Sequence, residues 1–256
     1  MTQSGQAIVN ALPAGGLSSW WIRSGMAPER RTRAFCVMTT TLVLVPTDLE
    51  RRLLAPALVV GGRPGPTIEL CGFGPVAAAA RTAALLATLA PQRVLLVGIA
   101  GRLDDALHVG AAYRFDRVAC HGVGAGSGPA FAPAETLGWL QWPGDPVDPA
   151  AAVGDVIDLP PAFGSGLPAK GLLLTACAAS ANAADVAARR SLFPAAEAED
   201  MEGFGVALAC RLAGVPLAIV RGISNAAGDR DHARWQVSEA AAAAASLAAT
   251  LLESPR

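Results

Sequence analysis

From residue 41 onward, short apolar runs rich in β-branched residues alternate with Ala-rich stretches at helical spacing, and few architectures accommodate that pattern. T-L-V-L-V-P (41–46) reads as a buried strand ended by proline. T-D-L-E-R-R-L-L then opens a helix, with Thr47 as N-cap and Glu50 three residues later, a capping-box spacing. T-I-E-L-C (67–71) reads as a second strand, and G-F-G-P turns into an Ala-rich helix. R-V-L-L-V-G-I-A-G (93–101) is the cleanest buried strand. Further strands are expected at 109–119, 171–177 and 216–224, and helices near 181–192, 201–213 and 232–253. The Gly- and Pro-rich stretch 121–168 reads as loops around weak elements. The expectation is an α/β fold of three layers, a central mixed and largely parallel twisted sheet flanked by helices.

Residues 38–256 show neither repeat nor linker and are expected to form one domain. Residues 1–37 mix Gly, Ser, Pro, a Trp pair and four arginines without a steady period, so a poorly ordered extension is expected, with Met38 as a candidate start. A-I-V-N-A-L-P-A-G-G-L is broken by Asn, Pro and Gly, unlike a secretory signal. No run of about 18 strongly apolar residues occurs, so no membrane span is expected. A net charge of -1, with no basic stripe, argues against a nucleic-acid partner. The five cysteines are widely spaced and form no C-x-x-C, which suits buried free thiols in a reducing, cytoplasmic setting. The three histidines lack ligand spacing, and neither metal nor cofactor is expected.

The acids of A-E-D-M-E-G (198–203) stand directly before an almost wholly apolar stretch. Acids at the mouth of a core invite a use. The bland account is acids in a first helical turn, favoured by the helix dipole, and Glu199 and Asp200 are read that way. In open α/β sheets ligands bind beyond the carboxyl ends of strands. Glu50, Gly72-Phe73-Gly74, Ala100-Gly101-Arg102, Arg221 and Ser224-Asn225 all fall at such ends. G-F-G-P-V-A (72–77) fits the dinucleotide fingerprint, but the first acid after Gly74 is Asp104, beyond the next strand, so no nicotinamide cofactor is expected.

E-D-M-E-G (199–203), followed by V-R-G-I-S-N (220–225), resembles the nucleoside phosphorylase and nucleosidase superfamily on its hydrolase side. G-F-G-P-V-A-A-A, V-G-I-A-G-R-L and the acid of V-P-T-D-L-E support the resemblance, which covers about residues 41–253. It implies that Glu202 holds the ribose 2′ and 3′ hydroxyls, with Met201 packing on the sugar. It implies that Glu50 orients and deprotonates the attacking water, and that Ala100 and Gly101 approach sugar and base through their backbone. Asn225 takes the position that handles purine N7. Breaking an N-glycosidic bond suits these residue types: a carboxylate steadies the cationic sugar, a base activates water, and a donor receives the leaving purine.

Adenosine-cleaving members carry Asp where this chain has Asn225. An amide NH2 donates toward N7 and O6 of a 6-oxopurine and has no carboxylate to repel O6. Within the superfamily, R-G-I-S-N with G-D-R-D-x-x-R-W (228–235) is most similar to the futalosine hydrolases of menaquinone biosynthesis. The resemblance then implies phosphate-independent release of hypoxanthine from a small-molecule nucleoside, by a homo-oligomer. Asp229, Arg230, Asp231, Arg234 and Trp235 either shape the base pocket or meet the carboxylated aromatic group on the sugar 5′ side, or else form a capped helix start with an Asp–Arg salt network. T-A-C-A-A-S-A-N (175–182) offers no aromatic to stack on a base, leaving Phe73 or Phe204 for that part. Arg102 reaches either the site or only the loop surface. A phosphorylase, an adenosine-type nucleosidase and a catalytically inactive nucleoside-binding protein are the rival readings.

Overall fold

In β1 (Thr41–Val45) every residue is buried, because its alternating side chains serve two cores. Leu42 and Leu44 pack on one face with Val94 and Leu96, against Ala78, Leu85, Phe204 and Cys210. Val43 and Val45 pack on the other with Leu95 and Val97, against Leu54, Leu58 and the alanines at 241, 244, 245 and 248. These residues come from helices α1 (Asp48–Leu58), α2 (Pro75–Leu89), α4 (Gly203–Ala213) and α5 (Val237–Glu253), with β3 (Arg93–Arg102) beside β1. A sheet between two helical layers results, as the alternation requires. The structure is a computed structural model and describes residues 40–58, 65–147, 151–160 and 166–253. All of these belong to one compact unit, Met38–Arg256. The expectation for residues 1–37 falls outside the described residues.

The main sheet also contains β2 (Thr67–Leu70), β4 (Ala112–His121), β7 (Val156–Asp158), β8 (Lys170–Ala176), β9 (Ala196–Asp200) and β10 (Leu217–Ala226). It is mixed: β10 with β4, β3 with β9 and β4 with β7 are antiparallel, while its other pairings are parallel. The short strands β5 (Gly124–Ala125) and β6 (Ala132–Pro133) pair separately. Helix α3 (Ala183–Leu192) covers a third cluster around Leu174 and Phe193.

Strands β3, β10, β4, β8 and β9 close into a ring, a feature absent from the expected sheet. β3 runs beside β1 as far as Leu96 and meets β9 only at Gly101. In the gap between these neighbours the Ile99 N–H donates to a side chain, that of Glu50. On the other flank, the β10 register shifts between Ile223 and Asn225, a bulge that re-aims Ser224 and Asn225.

Strand β9 corrects the sequence reading. Glu199 and Asp200 are not first-turn acids; they end a strand, and α4 starts at Gly203. A-E-A-E-D has no β-branched or aromatic residue to mark it as a strand, and both acids are buried because long-range partners satisfy them. Among the cysteines, Cys71, Cys120 and Cys210 are free and buried, whereas Cys177 is free and exposed.

Candidate active site

Glu50 sits three residues past the N-cap of α1, where the sequence places it. Half of the capping box forms: the Glu50 N–H donates to Thr47 Oγ1 at 3.3 Å. The reciprocal half is diverted. Glu50 Oε2 accepts from the Thr47 hydroxyl at 2.7 Å, and Oε1 accepts from the Ile99 N–H at 3.0 Å. The carboxylate is therefore turned from its own helix toward the gap in β3.

Glu202 is the N-cap residue of α4, yet its side chain caps nothing. Two neighbours do that work. Asp200 Oδ2 accepts from the Gly203 N–H at 2.9 Å, and Thr175 Oγ1 accepts from the Phe204 N–H at 2.8 Å. Thr175 in turn donates to Asp200 Oδ1 at 2.6 Å. With the helix end satisfied, Glu202 Oε1 accepts the Gly74 N–H at 3.1 Å. The G-F-G stretch thus presents a backbone donor to a carboxylate. Gly74 sits at φ 85°, a conformation that favours glycine. Gly205 lets α4 approach the Pro75 carbonyl so closely that a side chain there would clash, which pins the start of α2 beside Glu202.

Arg221 joins these parts from beneath. Fully buried, it donates through Nε (3.0 Å) and Nη2 (2.5 Å) to Asp200 and reaches Glu202 Oε2 at 3.5 Å. Its Nη1 is buried without a hydrogen-bond partner and lies against Gly98. A Cβ at Gly98 would strike Nη1 and stand 2.7 Å from Glu50 Oε1, so Arg221 and Glu50 converge on this glycine. Burial pushes the Glu202 carboxyl up to about 7; Asp200 and Glu50 push the same way, while Arg221 and the Gly74 N–H pull it back. Burial also works against the Arg221 charge, but Asp200, Glu202 and Glu50 outweigh it and raise its pKa above the ordinary value. Cys71, beneath the same cluster, is pushed up to about 12 by burial.

A cavity of about 370 Å³ opens above this network. Glu50, Phe73, Ala100, Gly101, Met201, Glu202, Ser224 and Asn225, each singled out in the sequence, line it. Arg221 and Asp229 do not. Arg221 lies beneath the floor, and Asp229 is tied into the salt network of its loop. The Ser224 hydroxyl sits 2.7 Å from Asn225 Oδ1 and 3.3 Å from the Ala100 carbonyl. Asn225 Nδ2 already gives one hydrogen to the Ala226 carbonyl at 2.8 Å. One amide hydrogen therefore remains for a ligand, not the two expected from the residue type. Phe204 is a core residue, so Phe73, 67% exposed, is the phenylalanine at the cavity. Arg102 binds the Leu107 carbonyl and Asp105, on its own loop.

The 229–235 loop mixes both expected roles. Arg234 bridges Asp229 at 2.8 Å and Asp231 at 3.3 Å, and Asp231 caps the 3-10 turn His232–Arg234, as a structural account requires. Arg230, His232 and Trp235 nevertheless line the cavity. His232 was missed because a lone histidine has no sequence signal of its own. Ser180 and Glu199, also in the lining, bind each other and the Arg189 guanidinium. Among the described residues, no three His, Cys, Asp or Glu side chains converge as metal ligands. No described helix is long and apolar enough to cross a membrane.

Residues 58–254 match the family described as the phosphorylase superfamily. A futalosine hydrolase of Streptomyces coelicolor is 34% identical, over 79% of this chain and 90% of its own. A 5′-methylthioadenosine/S-adenosylhomocysteine nucleosidase of a Marinomonas species is 32% identical, over 71% of this chain and 78% of its own. A structure of futalosine hydrolase from Helicobacter pylori superposes with a TM-score of 0.66 over 84% of this chain and 98% of that one. At 16% identity, that likeness is one of fold.

Proposed function

The chain belongs to the phosphorylase superfamily, and from that premise we propose that it hydrolyses the N-glycosidic bond of futalosine, releasing hypoxanthine and dehypoxanthine futalosine. The observation that carries the proposal is the pair of buried carboxylates, Glu50 and Glu202, in one cavity whose wall holds Asn225. Both are held by backbone N–H groups and turned from their own helices.

In this reading Glu202 binds the ribose 2′ and 3′ hydroxyls and steadies the cationic sugar as the C1′–N9 bond lengthens. Met201, Ala100 and Gly101 position the sugar. Glu50 orients a water and takes its proton as the oxygen bonds to C1′. The bond pair leaves with the purine, whose N7 accepts a hydrogen bond from the remaining Asn225 N–H and which takes its proton from solvent, as Glu50 returns the water's proton there. Arg221 holds Asp200 and Glu202 in place, and its unpartnered Nη1 offers a further donor on the Glu50 side.

Water is favoured over phosphate by charge. Glu50, Glu199, Asp200 and Glu202 line the cavity, with Arg230 as the sole Lys or Arg among the described lining residues. A phosphate dianion would meet Glu50 without a cluster of arginines to hold it. A futalosine substrate places the step in menaquinone biosynthesis, in the cytoplasm. Leu49 and Phe73, exposed apolar residues of the cavity lining, suit cover by a second copy, so we also propose a homo-oligomer.

The test is base release from futalosine, inosine and methylthioadenosine, each with and without phosphate, read by chromatography. Phosphate-independent hypoxanthine release from futalosine is expected. Phosphate-dependent inosine cleavage would move the chain to the phosphorylases, and adenine release from methylthioadenosine would remove the part given to Asn225. Glu202→Gln is expected to lower kcat/KM by about 10²- to 10³-fold. Asn225→Asp should improve adenine release relative to hypoxanthine release.

A further inference from the structure

We infer that Arg230, backed by Trp235, binds a carboxylate carried on the 5′ side of the nucleoside and thereby selects for anionic substrates. The inference rests on the futalosine reading and names the recognition element of that same site. It starts from charge. Three acids of the cavity have their own cations, Arg221 serving Asp200 and Glu202 and Arg189 serving Glu199, while Glu50 is held by the Thr47 hydroxyl and the Ile99 N–H. Asp229 and Asp231, which flank Arg230 in sequence, are both taken by Arg234. Among the described residues no carboxylate pairs with Arg230, although it lines an acidic cavity. Purine and ribose are neutral, and Asn225 and the two glutamates supply the groups they need. Arg230 is exposed at the cavity, so its guanidinium is open to an anion elsewhere on the substrate.

Geometry suits a carboxylate. The Arg230 guanidinium carbon lies 5.3 Å from the Trp235 ring centre, a cation–π contact. Trp235 is anchored by its indole N–H, which donates to the Asp229 carbonyl at 3.1 Å, and its ring packs 4.4 Å from that of His232. A guanidinium restrained by a ring face keeps its N–H edge free for a bidentate carboxylate. The two aromatic rings also offer a surface to an aromatic substituent.

Full-length enzyme and its Arg230→Ala and Arg230→Lys variants would be assayed on futalosine, futalosine methyl ester and inosine, with and without phosphate. Thermal unfolding would confirm that the variants fold. Arg230→Ala should lower kcat/KM for futalosine about 10- to 100-fold, mainly through KM, because the contact lies away from the bond that breaks. The futalosine-to-inosine ratio should fall with it, and Lys should restore part of it. The methyl ester should be as poor a substrate for wild type as futalosine is for the variant. Equal losses on all three substrates, or no loss, would overturn the inference while leaving hydrolysis of futalosine intact. Loss confined to phosphate-dependent cleavage would make Arg230 a phosphate ligand instead. Wild-type enzyme that releases no hypoxanthine from futalosine would remove the functional reading, and this inference with it.

Discussion

Beneath the cavity, Arg221 and Asp200 are both fully buried and bonded at 2.5 Å. At the rim, Arg234 and Asp229 make the same kind of pair at 2.8 Å, with side chains 68% and 23% exposed. Distance barely separates the two pairs; solvent does. The lower pair belongs to a network in which Thr175, Gly203, Glu202 and Gly98 each depend on the others' positions. The rim pair folds one short loop, and water competes for its charges. The difference teaches where this protein holds rigid geometry, under the sugar site, and where it presents adaptable chemistry.

Removing the lower cation breaks the comparison most forcefully. Arg221→Met leaves Asp200, Glu202 and Glu50 buried without their counter-charge, and a loss of about 3–5 kcal/mol is expected in urea unfolding. A loss under about 1 kcal/mol would mean the floor behaves like a surface. Gly98→Ala comes next. The added methyl meets Arg221, Glu50 and Pro46, and overpacking of this kind costs about 1–3 kcal/mol. Activity should fall too, since Glu50 must shift.

Glu202 sharpens the contrast through pH. Its folded pKa, about 7, is raised above the model-peptide value of 4.5. The folded state therefore binds this proton more tightly than the unfolded state does. The stabilisation is complete below about 4.5 and is lost as pH rises through about 7. Gripping hydroxyls as a carboxylate requires the opposite state, so kcat/KM should rise through the same window. Opposed slopes of stability and activity, from urea unfolding and initial rates, are the expected signature; parallel slopes would assign the titration to another group. Arg234→Ala should have the smallest effect, leaving the thermal midpoint unchanged within error. A clear drop would show that the rim loop is as rigidly held as the floor.

Part of the floor was legible in the chain. Glu50 follows a buried strand at capping-box spacing, and Glu202 sits in M-E-G before an apolar helix. Arg221 was legible as a strand-end residue but not as one buried beneath the cavity. G-F-G matched a phosphate-binding fingerprint, whereas Gly74 holds a carboxylate through its N–H. Asp200 resembled a helix-start acid because nothing near it in sequence reveals Thr175 or Arg221. Strand β9 escaped for the same reason: its burial depends on partners brought from β3 and β8.

The sequence by itself determined the layers and the supply of acids. Alternating β-branched runs and Ala-rich helices require a covered sheet, since each element must bury its apolar side. The tertiary structure decided which acid is locked into the scaffold and which reaches the cavity. Asp200 spends its oxygens on Thr175, Gly203 and Arg221, and Glu202, two residues on, is released toward the cavity. Local pattern cannot choose between them, because a carboxylate's state follows from its desolvation and from partners that only folding brings within hydrogen-bond distance.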